Sequence, residues 1–302
     1  MVRIPDCRTY KSLAELPTDA ERLAVAEETG RGLAIYGELT AGMDPGEIVN
    51  PLPGYRDTGN YYHQLHSVLN GATTSEEAAQ WLPSDETLLH STGTHFLLHL
   101  PRRDFQKRRD DPALQPFIRM ALEHQEFALT LQRKLRRGEI RTLAIHGDTK
   151  LDNFLFCNRT GRVKALIDLD TIMPHTWLAD WGDMVRSLAN VAGEREQNLE
   201  KVQVDQAIFL ALAKGFLAVA RKITQAEREL MVDAVRIIAL ELGVRFLADY
   251  LRGDSYFRLG PADTPELNRI RAMAQLTLFQ RLTEQRAALS GALQEVDKQS
   301  AE

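Results

Sequence analysis

The chain has 302 residues, of which 44% are hydrophobic and 26% are charged, a composition that excludes a disordered or fibrous protein. Its 37 basic and 42 acidic residues leave a formal net charge of −5, so no general positive field would hold nucleic acid or an anionic membrane surface. No stretch approaches the roughly 20 apolar residues that cross a bilayer, and the start, MVRIPDCRTYKSL, lacks the apolar centre of a signal peptide. We therefore expect a cytoplasmic protein without a membrane or nucleic-acid partner.

The two cysteines, Cys7 and Cys157, are far apart in the sequence and form no CxxC pair. This spacing predicts neither a disulfide framework nor a thiolate zinc site. A reducing compartment fits this use of cysteine best.

The first half of the chain is predicted to be mostly helical. Residues 1–18 contain Pro5 and Pro17 and are predicted to be an extended lead-in, and residues 44–59 are rich in Pro and Gly, as loops are. Residues 88–100 fit a helix and a strand equally well. Apolar residues recur at helical intervals over 20–43, 61–69, 75–81 and 112–137.

After Gly138 the pattern changes to short β-like stretches. These are residues 142–145, 154–157 and 163–169, and Asn158-Arg159-Thr160-Gly161 is a turn that joins the last two into a hairpin. Helical patterns then return over 178–192, 203–221, 225–252 and 265–290. The predicted fold class is α+β, mainly helical, with a small central β-hairpin.

Polar side chains are concentrated in the stretch HGDTKLDN, directly after the apolar residues Leu143-Ala144-Ile145. A second stretch, ALIDLDT, carries Asp168 and Asp170 at the end of another predicted strand. Both acidic loops are predicted to follow strands of one hairpin, so we expect Asp148, Asn153 and Asp168 to lie close together. Such oxygen ligands suit Mg²⁺, which takes one or two protein groups and fills its other positions with water and phosphate oxygens.

The spacing His146-x-Asp148-x-Lys150-x-x-Asn153 matches the catalytic-loop pattern of kinases, and Asp168 after an apolar strand matches their metal-binding aspartate. Phosphoryl transfer needs a carboxylate that accepts the proton of the substrate hydroxyl and groups that hold the metal. It also needs a cation near the transferred phosphate. The pattern predicts a kinase-type phosphotransferase.

These motifs, with DWGDMVR and FLADYLRGDSYF, resemble the aminoglycoside phosphotransferase and choline kinase-like superfamily, and within it the N-acetylhexosamine 1-kinases most. The resemblance implies a protein-kinase-like C-terminal lobe and an enzyme that uses ATP and Mg²⁺. The implied acceptor is a hydroxyl of a sugar such as an N-acetylhexosamine, with an aminoglycoside or an amino alcohol as the alternative.

The resemblance also implies roles for individual residues. Asp148 would be the catalytic base, Lys150 would lie near the γ-phosphate, and Asn153 and Asp168 would bind the metal. Asp170 is either a second metal contact or a loop brace. His146 would be a structural brace, and Asp180 is predicted to cap a helix near the site.

Five more residues are possible acceptor-binding groups. Asp183 and Arg186, in DWGDMVR, either line the acceptor cavity or belong to a helix start. The other three residues, in FLADYLRGDSYF, either bind sugar hydroxyls or form a helix end and its turn, and the pattern favours the helix end and turn. The five residues are Asp183, Arg186, Asp249, Asp254 and Tyr256.

The resemblance further implies an N-terminal kinase lobe with a β-sheet, a glycine-rich flap and a lysine, and residues 1–30 show no run of strands. The glycines Gly30, Gly32 and Gly37 lie in a helical pattern without GxGxxG spacing, which predicts helix packing. We therefore expect residues 1–19 to be a lead-in and 20–302 to be a kinase-like C-terminal lobe, with the N-terminal lobe missing. An internal methionine start, a lobe supplied by another chain, or lost catalysis would each explain this.

Two other functions compete with that of a kinase. A sugar-binding or partner-binding fragment without turnover would keep the cavity alone. Asp168-x-Asp170 after a strand also occurs in haloacid dehalogenase-like phosphatases, but position 172 is Ile rather than Thr and no doubly wound sheet is predicted.

Overall fold

The computed structural model describes the backbone of residues 4–301 and the side chains of residues 4–299. Residues 1–3 of the predicted lead-in and Glu302 of the predicted lobe lie outside the described residues. The fold is mainly helical with two small antiparallel sheets, which confirms the predicted α+β class.

The α-helices of the first half are α1 (Asp19–Thr40), α2 (Thr58–Leu69), α3 (Ser75–Ala78), α4 (Glu86–Thr92), α5 (Arg102–Arg109), α6 (Gln115–Glu123), α7 (Gln125–Ala128) and α8 (Thr130–Arg136). The second half contains α9 (Trp177–Leu188), α10 (Gln206–Leu217), α11 (Gln225–Glu229), α12 (Met231–Arg252), α13 (Leu267–Glu284) and α14 (Arg286–Ala301). The strands are β1 (Cys7–Arg8), β2 (Leu143–Ile145), β3 (Phe154–Cys157), β4 (Val163–Leu166) and β5 (Met173–His175). Among the helices of the described part of the chain, none combines the length and apolar character that a bilayer crossing requires.

Helix α1 begins at Asp19, one residue before the predicted start, and Thr18 and Glu21 form a capping box at its first turn. Of the three glycines predicted to serve helix packing, Gly30 does so, whereas Gly32 lies against Val163 of β4 and a Cβ atom on Gly37 would meet nothing within 4 Å. A Cβ atom on Gly30 would lie 2.1 Å from the carbonyl oxygen of Leu212, and one on Gly215 would lie 1.7 Å from that of Glu27. Only glycine lets the backbones of α1 and α10 approach this closely.

Three predicted helices are interrupted in the structure. The segment predicted as one helix over 112–137 consists of α6, α7 and α8, with breaks at His124 and Leu129. The break at His124 lets its ring pack edge-on against Phe279, with centroids 4.9 Å apart. Similar breaks at Leu230 and Gln285 separate α11 from α12 and α13 from α14. Local periodicity does not report such breaks, because tertiary contacts decide them.

The strands form two sheets rather than one hairpin. β3 and β4 are the predicted hairpin, and β1 adds to its β3 edge, whereas β2 pairs with β5 in a separate sheet. The expectation that both acidic loops follow strands of one hairpin is therefore wrong, since the Asp148 loop follows β2. The two loops are still neighbours because β3 and β4 are nested between β2 and β5, and Ile167 N donates to Asn153 O at 2.9 Å.

The cysteines are also closer than their sequence separation indicates. Cys7 of β1 lies directly opposite Cys157 of β3 in the antiparallel register, and both are free thiols. The sequence argument against a disulfide therefore does not hold for this pair.

The core lies around α12, whose side chains are buried on nearly every face. It packs against α2, α9 and α13. The largest fully buried side chains of the core include Trp181, Phe209, Phe246 and Phe279. Burial of such aromatic side chains is the main favourable contribution to folding in a domain of this size, and it supplies the rigid base on which the β2–β3 loop lies.

Candidate active site

The backbone of the loop after β2 is held by a buried carboxylate of α9. Asp180, which is 2% exposed, accepts hydrogen bonds from His146 N at 2.7 Å and from Gly147 N at 2.8 Å. The Thr149 hydroxyl donates to the carbonyl oxygen of Asp180 at 2.7 Å. Burial raises the pKa of Asp180, and the two backbone N–H groups act in the opposite direction.

The predicted capping role of Asp180 is therefore corrected. The N-cap of α9 is Thr176, whose side chain accepts from Leu178 N. Asp180 lies one turn further along the helix and instead fixes the conformation of the loop that carries Asp148.

His146 connects the two acidic loops. Its Nε2 lies 2.9 Å from the carbonyl oxygen of Ile167, and its Nδ1 lies 3.3 Å from Asp148 N. A carbonyl oxygen only accepts, so Nε2 carries the proton and Nδ1 accepts from Asp148 N–H. The ring is fully buried. It links the backbone N–H of Asp148 to the carbonyl oxygen of Ile167, the residue before Asp168.

Gly147 makes a left-handed turn, with φ of 85°, where the loop leaves β2. Its carbonyl oxygen accepts from Arg56 Nη2 at 2.9 Å and from the Tyr55 hydroxyl at 3.0 Å. A Cβ atom at this position would lie 2.5 Å from the carbonyl oxygen of Thr171 in the second acidic loop. Only glycine fits the conformation and the contact together.

We expect Gly147→Ala to destabilise the protein more than Gly138→Ala. Gly138 also has a positive φ, of 68°, but a Cβ atom there meets nothing within 4 Å, so its substitution costs about 1 kcal/mol of left-handed strain. Gly147→Ala should cost about 1 to 2 kcal/mol beyond that, because the Thr171 carbonyl must shift. Urea unfolding of both variants measures this difference, and equal losses would contradict the close contact.

Asp148, Lys150 and Asn153 lie together. Lys150 Nζ is 2.8 Å from Asp148 Oδ2, and Asn153 Nδ2 donates to the same oxygen at 3.1 Å and to the Asp148 carbonyl at 2.8 Å. Burial would lower the pKa of Lys150, but Asp148 and the further carboxylates of Asp152 and Asp168 outweigh it, so the pKa is raised. Lys150 is therefore fully protonated at neutral pH.

Asp168 lies close enough to this loop to affect the pKa of its charged side chains. It has a left-handed backbone, with φ of 67° and ψ of 59°, and it is exposed at the end of β4. Its carboxylate contributes to the raised pKa of both Lys150 and Asp152. Within residues 4–299, neither Asp168 nor the exposed Asp170 has a side-chain hydrogen bond or ion pair, so the geometry assigns Asp170 no bracing role.

The donor set fits a hard cation that keeps most of its waters. The Asn153 amide directs its nitrogen to Asp148, which leaves the amide oxygen for a metal, and the Asp168 carboxylate is unpaired. Mg²⁺ takes one or two such protein oxygens. Within residues 4–301, no cluster of three or more His, Cys, Asp or Glu side chains is arranged to hold a metal ion.

A buried ionic network lies beneath the loop. Arg56 Nη2 is 3.2 Å from Asp183 Oδ2, Arg56 Nη1 is 3.4 Å from Glu241 Oε1, and Arg186 Nη2 is 2.7 Å from Asp183 Oδ1. Burial would raise the pKa of Asp183, but Arg186 and Arg56 outweigh it and lower the pKa to about 2. Thr149 N also donates to Asp183 at 3.2 Å, so the network contacts the loop directly.

A comparison with protein families shows the family to which the chain belongs. A model of the phosphotransferase enzyme family, APH, matches residues 13–213, about two thirds of the chain. The chain belongs to this family. The match confirms the predicted resemblance at the level of the superfamily and makes the protein a kinase-type phosphotransferase. The closer likeness to N-acetylhexosamine kinases stays a prediction.

A cavity of about 780 Å³ opens beside Asp148 in this APH protein. Of the residues that the sequence suggested for acceptor binding, Asp183, Arg186 and Tyr256 line it. Cavities of this size hold small-molecule ligands in proteins. Asp148 and Lys150 are at its wall, so a molecule in the cavity would have access to the loop.

The possible acceptor-binding role of Asp249 and Asp254 is corrected, because neither is among the described residues that line this cavity. Asp249 is fully buried, pairs with Arg252 at 2.8 Å, and accepts from the backbone N–H groups of Tyr256 and Phe257. Asp254 accepts from Arg108 at 2.7 Å and from Asn268 at 2.9 Å. Both carboxylates hold the turn after α12, which is the alternative that the sequence favoured.

The sequence patterns did not identify three charged residues of the APH site. Arg56 lies in the Pro- and Gly-rich loop, where no pattern distinguishes it, whereas Glu241 and Arg245 are two of the six charged residues in the largely buried helix α12. A charge in an otherwise buried helix is a signal for a paired or functional group. The Arg245 guanidinium lies between the rings of Tyr55, Tyr61, Tyr256 and Phe257, and among the described side chains it has no carboxylate partner.

Proposed function

We propose that the protein transfers the γ-phosphoryl group of ATP to a hydroxyl of a sugar such as an N-acetylhexosamine, in the presence of Mg²⁺. The observation that carries the proposal is the Asp148 carboxylate at the wall of the 780 Å³ cavity, 2.8 Å from Lys150 and 3.1 Å from Asn153. Residues 20–302 would form the C-terminal lobe of the kinase-like protein.

Each residue of the loop has a distinct role in the proposal. The Asp148 carboxylate orients the acceptor hydroxyl and accepts its proton. The Lys150 side chain is 40% exposed, so it can leave Asp148 and bind a phosphate oxygen. Asn153 and Asp168 would hold Mg²⁺. Bound ATP would supply the phosphoryl group, and the metal ion would neutralise the charge of its oxygens.

The choice of a sugar is supported by the cavity lining. Arg186 offers N–H donors beside its paired Asp183, and Tyr256 offers a ring face and a hydroxyl that lies 3.3 Å from Arg245. Alternating hydrogen-bonding groups and aromatic faces suit a hydroxyl-rich ring.

A phosphate-transfer assay of the purified 302-residue chain tests the proposal. ATP labelled at the γ-position is supplied with Mg²⁺ and with a panel of N-acetylhexosamines, other hexoses, aminoglycosides and amino alcohols. We expect label on a sugar hydroxyl. Transfer only to an aminoglycoside or an amino alcohol would contradict the sugar, and sugar binding without any transfer would contradict the kinase and favour a binding function.

We expect Asp168→Ala to weaken the binding of Mg²⁺ and nucleotide together by at least about tenfold, since loss of even an outer partner of a metal typically costs that much. Isothermal calorimetry with ATP, with and without Mg²⁺, measures the effect, and binding without Mg²⁺ should be unchanged. Asp6→Ala is the matched control, because Asp6 is also exposed with a positive φ, of 54°. Undiminished affinity in Asp168→Ala would refute the metal role.

A further inference from the structure

The chain has two cysteines, and the fold places them opposite each other on adjacent strands. Cys7 and Cys157 are register partners in the antiparallel pair of β1 and β3. Directly opposite residues of such a pair project their side chains to the same face of the sheet. The two thiols therefore lie on one face, although 149 residues separate them in the sequence.

The hydrogen bonds around this pair define its geometry. Cys157 N donates to Arg162 O at 2.8 Å and Cys157 O accepts from Gly161 N at 2.8 Å, so its backbone groups are directed to the β4 side. The next residue, Asn158, donates its N–H to Asp6 O at 2.9 Å. Cys7 and Cys157 are thus a non-hydrogen-bonded pair, the kind in which Cα atoms are about 4.5 Å apart. This separation lies within the range of roughly 4.4 to 6.8 Å that a disulfide requires.

The lowered pKa of the Cys157 thiol and the partial exposure of Cys7 suit thiol–disulfide exchange. A hydrogen bond from the Thr160 hydroxyl, with backbone N–H groups of Thr160 and Arg159, lowers the pKa of Cys157 to about 7. Cys157 is therefore partly thiolate near neutral pH, and the thiolate is the reactive form, but its side chain is buried, with 6% exposed. Cys7 is partly exposed, with its Sγ 3.2 Å from the Pro5 carbonyl oxygen, and it is thus accessible to a small-molecule oxidant.

We propose that Cys7 and Cys157 form a cross-strand disulfide when a small-molecule disulfide such as oxidised glutathione is present. One cysteine thiolate attacks a sulfur of the oxidant and releases one glutathione thiolate. The other cysteine then attacks the mixed disulfide and releases the second. The two thiol protons leave with the two reduced glutathione molecules, so the protein loses two hydrogens and the oxidant gains them.

The bond would connect two parts of the wall around the candidate active site. Lys11, Ser12 and Leu13 follow β1 and line the large cavity, whereas β3 begins directly after Asn153. A disulfide between these strands would hold residues 4–13 against the hairpin. It would also close a loop of about 150 residues, which removes conformational freedom from the unfolded chain.

The test exposes the dilute wild-type chain, Cys7→Ser and Cys157→Ser to oxidised glutathione, alkylates the remaining thiols, and measures intact and peptide masses. The wild type should lose two hydrogens, take up no alkyl group, and yield one cross-linked peptide containing both cysteines. Each single variant should instead carry a glutathione adduct or an alkylated thiol. A wild type that carries glutathione adducts without the internal link, or that forms only linked dimers, would overturn the proposal.

A thermal measurement adds a second readout. The oxidised wild type should melt about 5 °C or more above the reduced protein, and the oxidant should not raise the Tm of either serine variant. A cross-linked chain whose Tm does not rise would overturn the stabilising role of the bond. Masses and melting temperatures are independent of phosphate transfer, so these outcomes do not depend on the proposed function.

Discussion

Asp148→Asn should lower the turnover number of phosphate transfer by about 10² to 10⁴, the usual contribution of a positioned general base. The amide keeps the shape of the carboxylate but cannot accept the proton of the acceptor hydroxyl. The carboxylate contacts only Lys150 and Asn153 among the described side chains, and Lys150 is part-exposed. We therefore expect the Tm to change little and the KM for the acceptor to change less than the turnover number.

The control for this variant is Asp110→Asn. Asp110 is an exposed aspartate that pairs with its neighbour Arg109 at 2.8 Å, outside the cavity. Both variants are assayed under saturating ATP and acceptor, with circular dichroism to check the fold. Turnover of Asp148→Asn equal to that of Asp110→Asn would rule out Asp148 as the base.

Arg56→Met should lower the free energy of unfolding by about 3 to 5 kcal/mol, because it leaves buried carboxylates without their partner. The Arg56 side chain is 3% exposed, and those of Asp183 and Glu241 are 4% and 2% exposed. Methionine fills similar space but donates no hydrogen bond. Asp183 would keep Arg186, whereas Glu241 would keep only the Thr58 hydroxyl, at 2.6 Å.

Chemical unfolding monitored by fluorescence measures the loss. Arg109→Met is the matched control, because the ion pair of Arg109 with Asp110 is exposed and methionine can keep the contact with the Phe105 ring, so it should change the stability by less than about 1 kcal/mol. If Arg56→Met does not fold, Glu241→Gln serves as the milder variant, with an expected loss of about 1 to 3 kcal/mol. A loss below about 1 kcal/mol in both variants would contradict the importance of the network.

The Arg56 network also explains how a core interaction supports the site. The same guanidinium that pairs with Asp183 and Glu241 donates to the carbonyl oxygen of Gly147. Asp180 accepts the neighbouring N–H groups from the other side. The residue before Asp148 is thus held by charged groups on both its carbonyl and its N–H, which limits the positions open to the carboxylate.

The local motifs were readable from the sequence because they depend on short spacings. The hairpin of β3 and β4 follows from a turn of four residues, and the start of α1 lies one residue before the position that the apolar pattern predicts. The kinase-like loop from His146 to Asn153 places its groups within eight residues, so its chemistry is predicted without knowledge of the rest of the chain.

The tertiary structure alone decided which distant residues meet. Nothing in the spacing shows that β2 pairs with β5, that Arg56 pairs with Glu241, or that Cys7 lies opposite Cys157. Similarly, FLADYLRGDSYF does not reveal that Tyr256 lines the cavity while Asp249 is directed into the turn. Hydrophobic periodicity reports which face of an element is buried but not what it is buried against, and contacts between distant segments depend on how all the buried faces pack together.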